Sequence, residues 1–206
     1  MRAITATFAL TLIAGPALAQ NVNQPGHVSP RPGQNTNAVS AVEDATAGVV
    51  GRISAEMTTT TKGFVTAAAI SDMYEVAAGK VAVERARSPA VKAFAQHMVE
   101  AHTKTTATLK GILASNNVKI APPAQVDSRR QGMLDNLRGA SAADFDNRYI
   151  TQQVAAHKEA EALFSGYAKD GDNKAIRDFA GTTVKDIRMH LADAQKLDRN
   201  QQNASR

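Results

Sequence analysis

The sequence contains no cysteine, and this absence excludes several kinds of site at once. Without thiols the chain can form neither disulfides nor thiolate metal sites, and it has no residue for a lipid-modified lipoprotein N-terminus. Tryptophan is also absent, and aromatic residues make up only 4% of the chain. A metal site in this protein must therefore be built mainly from histidine and carboxylate ligands.

Strong charge is missing as well, because 24 Lys and Arg residues against 19 Asp and Glu residues give a formal net charge of only +5. The basic residues are interleaved with acidic ones and form no stripe, and no cluster of aromatic residues is available to stack on bases. A basic stripe and aromatic residues that stack on bases are typical of nucleic-acid-binding surfaces, and this sequence has neither. We therefore expect no nucleic-acid partner.

Long apolar runs are absent apart from one near the N-terminus. Residues 4–14 are almost uncharged and mostly apolar, follow Arg2 and precede an Ala-Leu-Ala tripeptide at 17–19. This pattern is typical of an export signal with a small-x-small cleavage site. The run is shorter than the roughly 20 residues of a membrane-spanning helix. We expect cleavage near Ala19 and Gln20, a periplasmic or secreted product, and no transmembrane segment.

Composition divides the rest of the chain into three parts. Residues 20–60 are rich in Asn, Pro, Gly, Ser and Thr, which predicts a disordered polar linker. Residues 61–199 carry long helical patterns and are numerous enough for one domain with its own core. Residues 200–206 form a polar tail.

Four long amphipathic segments occupy this domain. The first covers about residues 62–86, and the second begins with Ser88 as N-cap and Pro89 at the first helical position. The third opens at residues 141–144, whose Ser-Ala-Ala-Asp run resembles a capping box, and ends at Gly171. The fourth follows directly and continues to the polar tail.

Link lengths suggest how the helices connect. Short links at Ser88 and Gly171 predict two helical hairpins, and a short extra helix is expected over residues 125–138. The connection between the hairpins, roughly 24 residues, is long enough for the crossover of a ferritin-like bundle. The sequence predicts an all-α, ferritin-like four-helix bundle with that extra helix, and an up-down bundle is the alternative.

Polar residues interrupt the apolar faces of these helices. Rows at three- and four-residue spacing include Glu75 on the first helix, His102 on the second and His190 on the fourth. His157 lies in one row of the third helix, which has a second apolar row through Tyr149 that competes for the inward face. These four side chains are the candidate site: Glu75, His102, His157 and His190.

The rise of about 1.5 Å per residue allows their heights to be compared. Glu75 and His102 agree within about one helical turn when counted from the link between their helices, whereas His157 and His190 differ by about 7.5 Å. All four therefore lie near the middle of the bundle.

Two interpretations fit this set. One Glu and three His residues suit a single Zn, Cu or Fe ion, since neutral imidazole is a good ligand for these metals. A ferroxidase-type di-iron centre is disfavoured because the chain has no Glu-x-x-His motif. The alternative is a structural or stress-related interaction protein in which a buried Glu/His network only fixes the register of the helices.

Other polar residues are weaker candidates for a functional site. His97 adjoins the row of His102, and we expect it to lie on the surface with Glu100 one turn away. Asp146 and Tyr149 suggest a hydrogen-bonded corner near the start of the third helix. Apart from Tyr149 no group suggests proton transfer, so no catalytic residue is predicted and a non-enzymatic role is favoured. Partners left open are a metal ion, a second copy of the chain or another envelope component.

The same residues resemble a known family. The resemblance rests on four segments: Phe64 and Val65 to Glu75 and Val76; Val91 to Val99 with His102; Phe145 and Asp146 to Tyr149 with His157; and Phe179 and Ala180 to Arg188, His190 and Leu191. Together they are similar to the bacterial exported-protein family called domain of unknown function 4142, over roughly residues 62–197. The resemblance implies a ferritin-like fold and no particular activity.

Two positions depart from the family pattern. Ala101 stands where the family often has an Asp before the histidine, and Lys185 stands where it often has a Pro. The first departure removes an acidic neighbour that could orient the His102 ring.

Overall fold

A computed structural model describes residues 54–204, and this part of the chain contains helices and no strand. The all-α prediction is therefore confirmed. The six helices are α1 (Ala55–Thr59), α2 (Thr61–Arg85), α3 (Pro89–Ser115), α4 (Ser128–Gly139), α5 (Phe145–Asp170) and α6 (Lys174–Ala204). The predicted signal peptide and residues 20–53 of the predicted linker lie outside the described residues.

The predicted start of α3 is confirmed in detail. The Ser88 hydroxyl accepts a hydrogen bond from the Val91 backbone N–H, and Pro89 occupies the first turn. The start of α5 differs from its prediction, because the hydroxyl of Ser141 accepts from the Asp144 N–H in a turn before the helix. Asp144 is then the N-cap but makes no capping hydrogen bond with its side chain.

Contacts between helices fix their relative directions. Thr61 and Phe64, at the start of α2, contact Tyr167 at the end of α5, and Arg85 at the end of α2 lies over the Phe145 ring. Helices α2 and α5 are therefore antiparallel. Each also packs closely against its hairpin partner, α3 or α6, and α3 packs against α6. The connection from α3 to α5 must consequently run the length of the bundle.

Helix α4 lies on this connection and is held at both ends. Its N-terminal Arg129 and Arg130 both form ion pairs with Glu159 on α5. At its other end the Arg85 guanidinium donates to the carbonyls of Leu137, Arg138 and Ala140. Because carbonyls at the C-terminal end of a helix carry partial negative charge, a cation there is favoured.

The domain is longer at both ends than the sequence predicted. Residues 54–60, assigned to the linker, contain α1, whose Thr58 approaches α5 so closely that a Cβ on Gly166 would lie 2.6 Å from the Thr58 methyl group. Residues 200–204, assigned to the tail, continue α6, where the Gln202 side chain donates to Asp198 one turn earlier. Packing against α5 and local helical bonding account for these extensions.

The core has two apolar parts. One surrounds Met98, Tyr149 and Phe145, and the other surrounds Phe64 and Phe164. Buried polar side chains lie between them, and we call this set the polar layer: Asp72, Glu75, His102, Gln153, His157 and His190. None of the helices described is both long and apolar enough to span a membrane.

Candidate metal centre

Three histidines from three helices meet in the polar layer. The ring centroid of His102 on α3 lies 5.6 Å from that of His157 on α5 and 5.7 Å from that of His190 on α6. The rings of His157 and His190 are 5.5 Å apart. The three rings therefore form a nearly equilateral triangle, and the height difference of about 7.5 Å expected from the 1.5 Å rise does not separate His157 from His190.

Each histidine directs a nitrogen towards the others. One ring nitrogen from each residue lies within 4.8 Å of those of the other two, and no other such group of His, Cys, Asp or Glu side chains is found in residues 54–204. Three buried nitrogens here have no hydrogen-bond partner: Nε2 of His102, Nε2 of His157 and Nδ1 of His190. Buried polar atoms are nearly always paired, so these three lone groups need an explanation.

The second nitrogen of the His102 ring is held by a carboxylate. Its Nδ1 lies 2.8 Å from Oδ1 of Asp72, and the Thr106 hydroxyl donates to Oδ2 of the same carboxylate. With Nδ1–H donating to Asp72, the lone pair of the His102 ring is on Nε2. A carboxylate bound to the far nitrogen is the usual companion of a histidine that ligates a metal.

The His157 ring is oriented by its own helix. Its Nδ1 lies 2.9 Å from the Gln153 carbonyl one turn earlier, so Nδ1–H donates and the lone pair is again on Nε2. Oε1 of Glu75 is 3.9 Å from the same Nδ1, and Oε2 accepts from the Gln153 amide at 2.7 Å. Glu75 is only 1% exposed. It therefore lies beside the occupied nitrogen of His157 and is not brought into the group of three.

Burial sets the protonation of the ligand candidates. It lowers the pKa of His157 to about 3, assisted by the charge of His102, and that of His190 to about 3, assisted by His157 and His102. Both rings are thus neutral near pH 7 and can offer a lone pair. For His102, burial also lowers the pKa, but the hydrogen bond to Asp72 and the charge of Glu75 outweigh it and leave the pKa raised.

The two carboxyl groups respond to burial in the opposite sense. Burial raises the pKa of Asp72 despite its bond to His102, and it raises the pKa of Glu75 despite the nearby charge of His102. Removing these charges from water is costly unless a cation compensates them. A metal ion beside His102 would supply that compensation.

The triangle is slightly larger than a bound ion requires. Three nitrogens within 4.8 Å of one another lie on a circle of radius at most about 2.8 Å, so each would move inwards by at most about 0.7 Å to reach Zn–N distances of about 2.0–2.1 Å. A shift of this size is within the reach of small side-chain rotations. The donor set therefore fits one ion with three imidazole ligands.

Space beside the histidines leads outwards. A cavity of about 10 Å³ touches His102 and His190, and it is also lined by Asp72, Thr105, Thr183 and Asp186. A much larger groove of about 780 Å³ lies between α3 and α6 and shares Thr105, Thr183, Asp186 and His190 with the cavity. The centre is thus close to solvent through this groove.

Sequence reasoning missed one central residue. Asp72 lies next to the row that contains Ser71 and Glu75, so the periodicity does not select it. Its side chain is nevertheless only 3% exposed. It supplies the acidic partner of His102 that the sequence lacks at position 101. A signal did exist, since Asp72 is four residues after the buried Ala68 and three before Glu75, a spacing that places them on one side of a helix.

Other sequence predictions had mixed outcomes. His97 is exposed, as expected, but its ring centroid is 5.1 Å from that of His190. The corner predicted between Asp146 and Tyr149 does not form in the structure, because the Asp146 carboxylate accepts from the backbone N–H groups of Arg87 and Ser88. The buried Tyr149 hydroxyl has no hydrogen-bond partner, and burial raises its pKa well above 10.

Comparison with known proteins identifies a family but no individual protein. The family described as Domain of unknown function (DUF4142) matches residues 51–197, which include every helix up to most of α6. No curated protein and no solved structure matches the chain.

Proposed function

Because this chain belongs to the family described as Domain of unknown function (DUF4142), which carries no assigned activity, we propose a function from its own geometry. The protein binds one transition-metal ion through His102, His157 and His190. The bound ion is held in the polar layer, between the two apolar parts of the core.

One observation carries this proposal. Each of the three histidines has a buried nitrogen without a hydrogen-bond partner, and one nitrogen of each ring lies within 4.8 Å of those of the other two. The remaining nitrogens of His102 and His157 are held by oxygen acceptors. Leaving a buried polar group unpaired costs about 1–3 kcal/mol. A single ion bound by the three rings would account for all three groups together.

The ligand type narrows the metal. Imidazole suits Zn, Cu, Fe and Ni, whereas Mg and Ca prefer oxygen ligands. Zn²⁺ is often bound by three histidines with a fourth position left open. Cu²⁺ binds most strongly to nitrogen ligands among the divalent ions of this series. We propose Zn²⁺ or Cu²⁺ as the ion held in this site.

Glu75 has a supporting part in this proposal. Its carboxylate is bound by Gln153 and lies beside the occupied Nδ1 of His157. It compensates the charge of the ion from the far side of that ring, as Asp72 does for His102, and it is not itself a ligand.

The location of the protein and the topology of its bundle are also part of this proposal. The signal-like N-terminus supports export to the periplasm or the exterior, where exchange of metals with the medium is direct. The antiparallel packing of α2 with α5, and the long connection that this requires, support a ferritin-like topology. A metal-binding or metal-sensing role is consistent with both inferences.

A second candidate is a bundle in which the polar layer only fixes helix register. Two hydrogen bonds between α5 and α2 favour it: the Gln153 amide donates to Glu75, and the Tyr74 hydroxyl donates to Oε1 of Gln152. Such a network, however, gains nothing from three unpaired imidazole nitrogens. The metal proposal accounts for them and is preferred.

The test is a metal titration of the purified protein. Zn²⁺ and Cu²⁺ should bind with a stoichiometry of one and raise the melting temperature, and His102→Ala, His157→Ala and His190→Ala should each abolish tight binding. His27→Ala removes a histidine far away in sequence and should leave binding unchanged. If neither ion binds, or if His27→Ala weakens binding as much as the three site variants do, the metal proposal is wrong.

A further inference from the structure

The three histidines leave one side of the proposed centre without a protein ligand. In residues 54–204, no fourth His, Asp or Glu side chain joins the group of three. Asp72 and Glu75 are beside the nitrogens that point away from it. A transition ion with three protein ligands normally takes a fourth from solvent or substrate.

A space of suitable size lies beside two of the three histidines. The cavity beside His102 and His190 has a volume of about 10 Å³, which is about the minimum needed for one water molecule. Phe164 and Ile187 form an apolar part of its wall. A water or small ligand bound beside His102 and His190 has room in this cavity.

The cavity continues into the groove between α3 and α6. Thr105, Thr183, Asp186 and His190 line both spaces. Thr105 and Thr183 are partly exposed, so the boundary between the cavity and the groove is formed by short side chains rather than by packed core. A small molecule that enters the groove has a direct route to the ion.

The charge of the groove favours cations over anions. Glu100, Asp178 and Asp186 line it against a single Lys104. A groove of this sign attracts metal cations and disfavours anions. Of these three acidic residues only Asp186 also lines the cavity, where its carboxylate can accept a hydrogen bond from a water bound to the ion.

We infer that the metal centre has one exchangeable coordination position, which faces the α3–α6 groove and accepts water or a small ligand. This inference rests on the proposed function, because it assumes an ion bound to His102, His157 and His190. The exchange replaces one bound water by one ligand, with no change in the oxidation state of the ion. The centre is thus an open site that can react with a solute, unlike a closed structural site.

Co²⁺ substitution with azide as the probe tests this inference. The Co²⁺-loaded protein should show visible absorption bands that shift on addition of azide with a saturable dependence on its concentration. Asp186→Asn should bind azide at least about threefold more tightly, since a repelling charge is removed.

A pair of neighbouring threonines supplies the matched control. Thr183→Phe should fill the cavity and abolish the azide response while Co²⁺ remains bound, because Thr183 lines the cavity. Thr182 lines only the groove, so Thr182→Phe should keep the azide response.

The outcomes separate the two proposals. If Co²⁺ is bound but azide leaves the spectrum unchanged, the site is closed and this inference is wrong, while the proposed function stands. An azide response that survives Thr183→Phe also contradicts it, because the ligand then reaches the ion by another route. Failure of Co²⁺, Zn²⁺ and Cu²⁺ to bind overturns both proposals.

Discussion

Asp72→Asn is the sharpest test of how the site is built. The substitution keeps an oxygen that can accept from Nδ1 of His102, now 2.8 Å from the carboxylate, but removes the negative charge. The amide group must also face the Thr106 hydroxyl, which at present donates to the second carboxylate oxygen. The geometry of the ring is thus largely kept while its electrostatic support is lost.

The magnitude follows from the contact. Loss of a carboxylate that orients a ligating histidine typically weakens metal binding by about 10- to 100-fold, or about 1.4–2.7 kcal/mol. We expect Zn²⁺ affinity to fall by this factor. The metal-free protein should lose little stability, because the buried charge of Asp72, whose pKa burial raises, no longer has to be desolvated.

Competition against a chromophoric chelator measures the affinity, and thermal unfolding with and without Zn²⁺ measures the stability. Asp193→Asn, an exposed change of the same kind on α6, is the matched control. Unchanged Zn²⁺ affinity in Asp72→Asn would refute the reasoning, because Asp72 would then have no part in tuning His102. An equal loss in the control would show that net charge alone is responsible.

Three further predictions concern the fold. Because the folded pKa values of His157 and His190 lie near 3, below the ordinary value, the contribution of these two rings to stability is full above about pH 6.5 and is lost below it, by at most about 1.4 kcal/mol per pH unit for each ring. Urea unfolding of the metal-free protein at pH 7 and 5 should show this loss, and a double His→Gln variant should show less of it; equal slopes would contradict it. Gly79→Ala should be at least about 1 kcal/mol less stable than Gly111→Ala, since a Cβ at 79 would lie 2.8 Å from a Val99 methyl and one at 111 meets nothing within 4 Å; equal melting temperatures would be the contrary result. Asp146→Ala should cost about 1.5–3 kcal/mol in urea unfolding, because its carboxylate holds two backbone N–H groups between α2 and α3, and an unchanged midpoint would remove that role.

Helical periodicity predicted much of the site, and the reason is geometric. His102 and His190 lie in rows of three- and four-residue spacing with large apolar residues on both sides, so one face of each helix was unambiguous. Helix α5 was ambiguous because both of its competing rows are buried, through Ile150 and His157 on one and Tyr149 and Ala156 on the other. A helix packed on two sides has a wide buried face, which periodicity alone cannot resolve.

Contacts between helices were beyond the sequence. The carboxylate beside His102 comes from Asp72 on α2 and not from position 101 on the same helix. This contact depends on how α2 and α3 are rotated against each other, which no local pattern records. The heights estimated for His157 and His190 assumed that both helices leave their link at one level. The segments from Ala55 to Thr59 and from residue 200 to 204 were missed because polar composition alone suggested a linker and a tail.

The positions of the three histidines along the chain have a consequence for its topology as a polymer. Joining His102 to His157 through one ion closes a loop of about 55 residues that contains the whole connection between the two hairpins, and longer closed loops restrict the unfolded chain more. The bound ion would thus act as a cross-link, as disulfides do in many exported proteins. A chain without cysteine would thereby gain a cross-link that depends on the supply of metal rather than on the redox state of its surroundings.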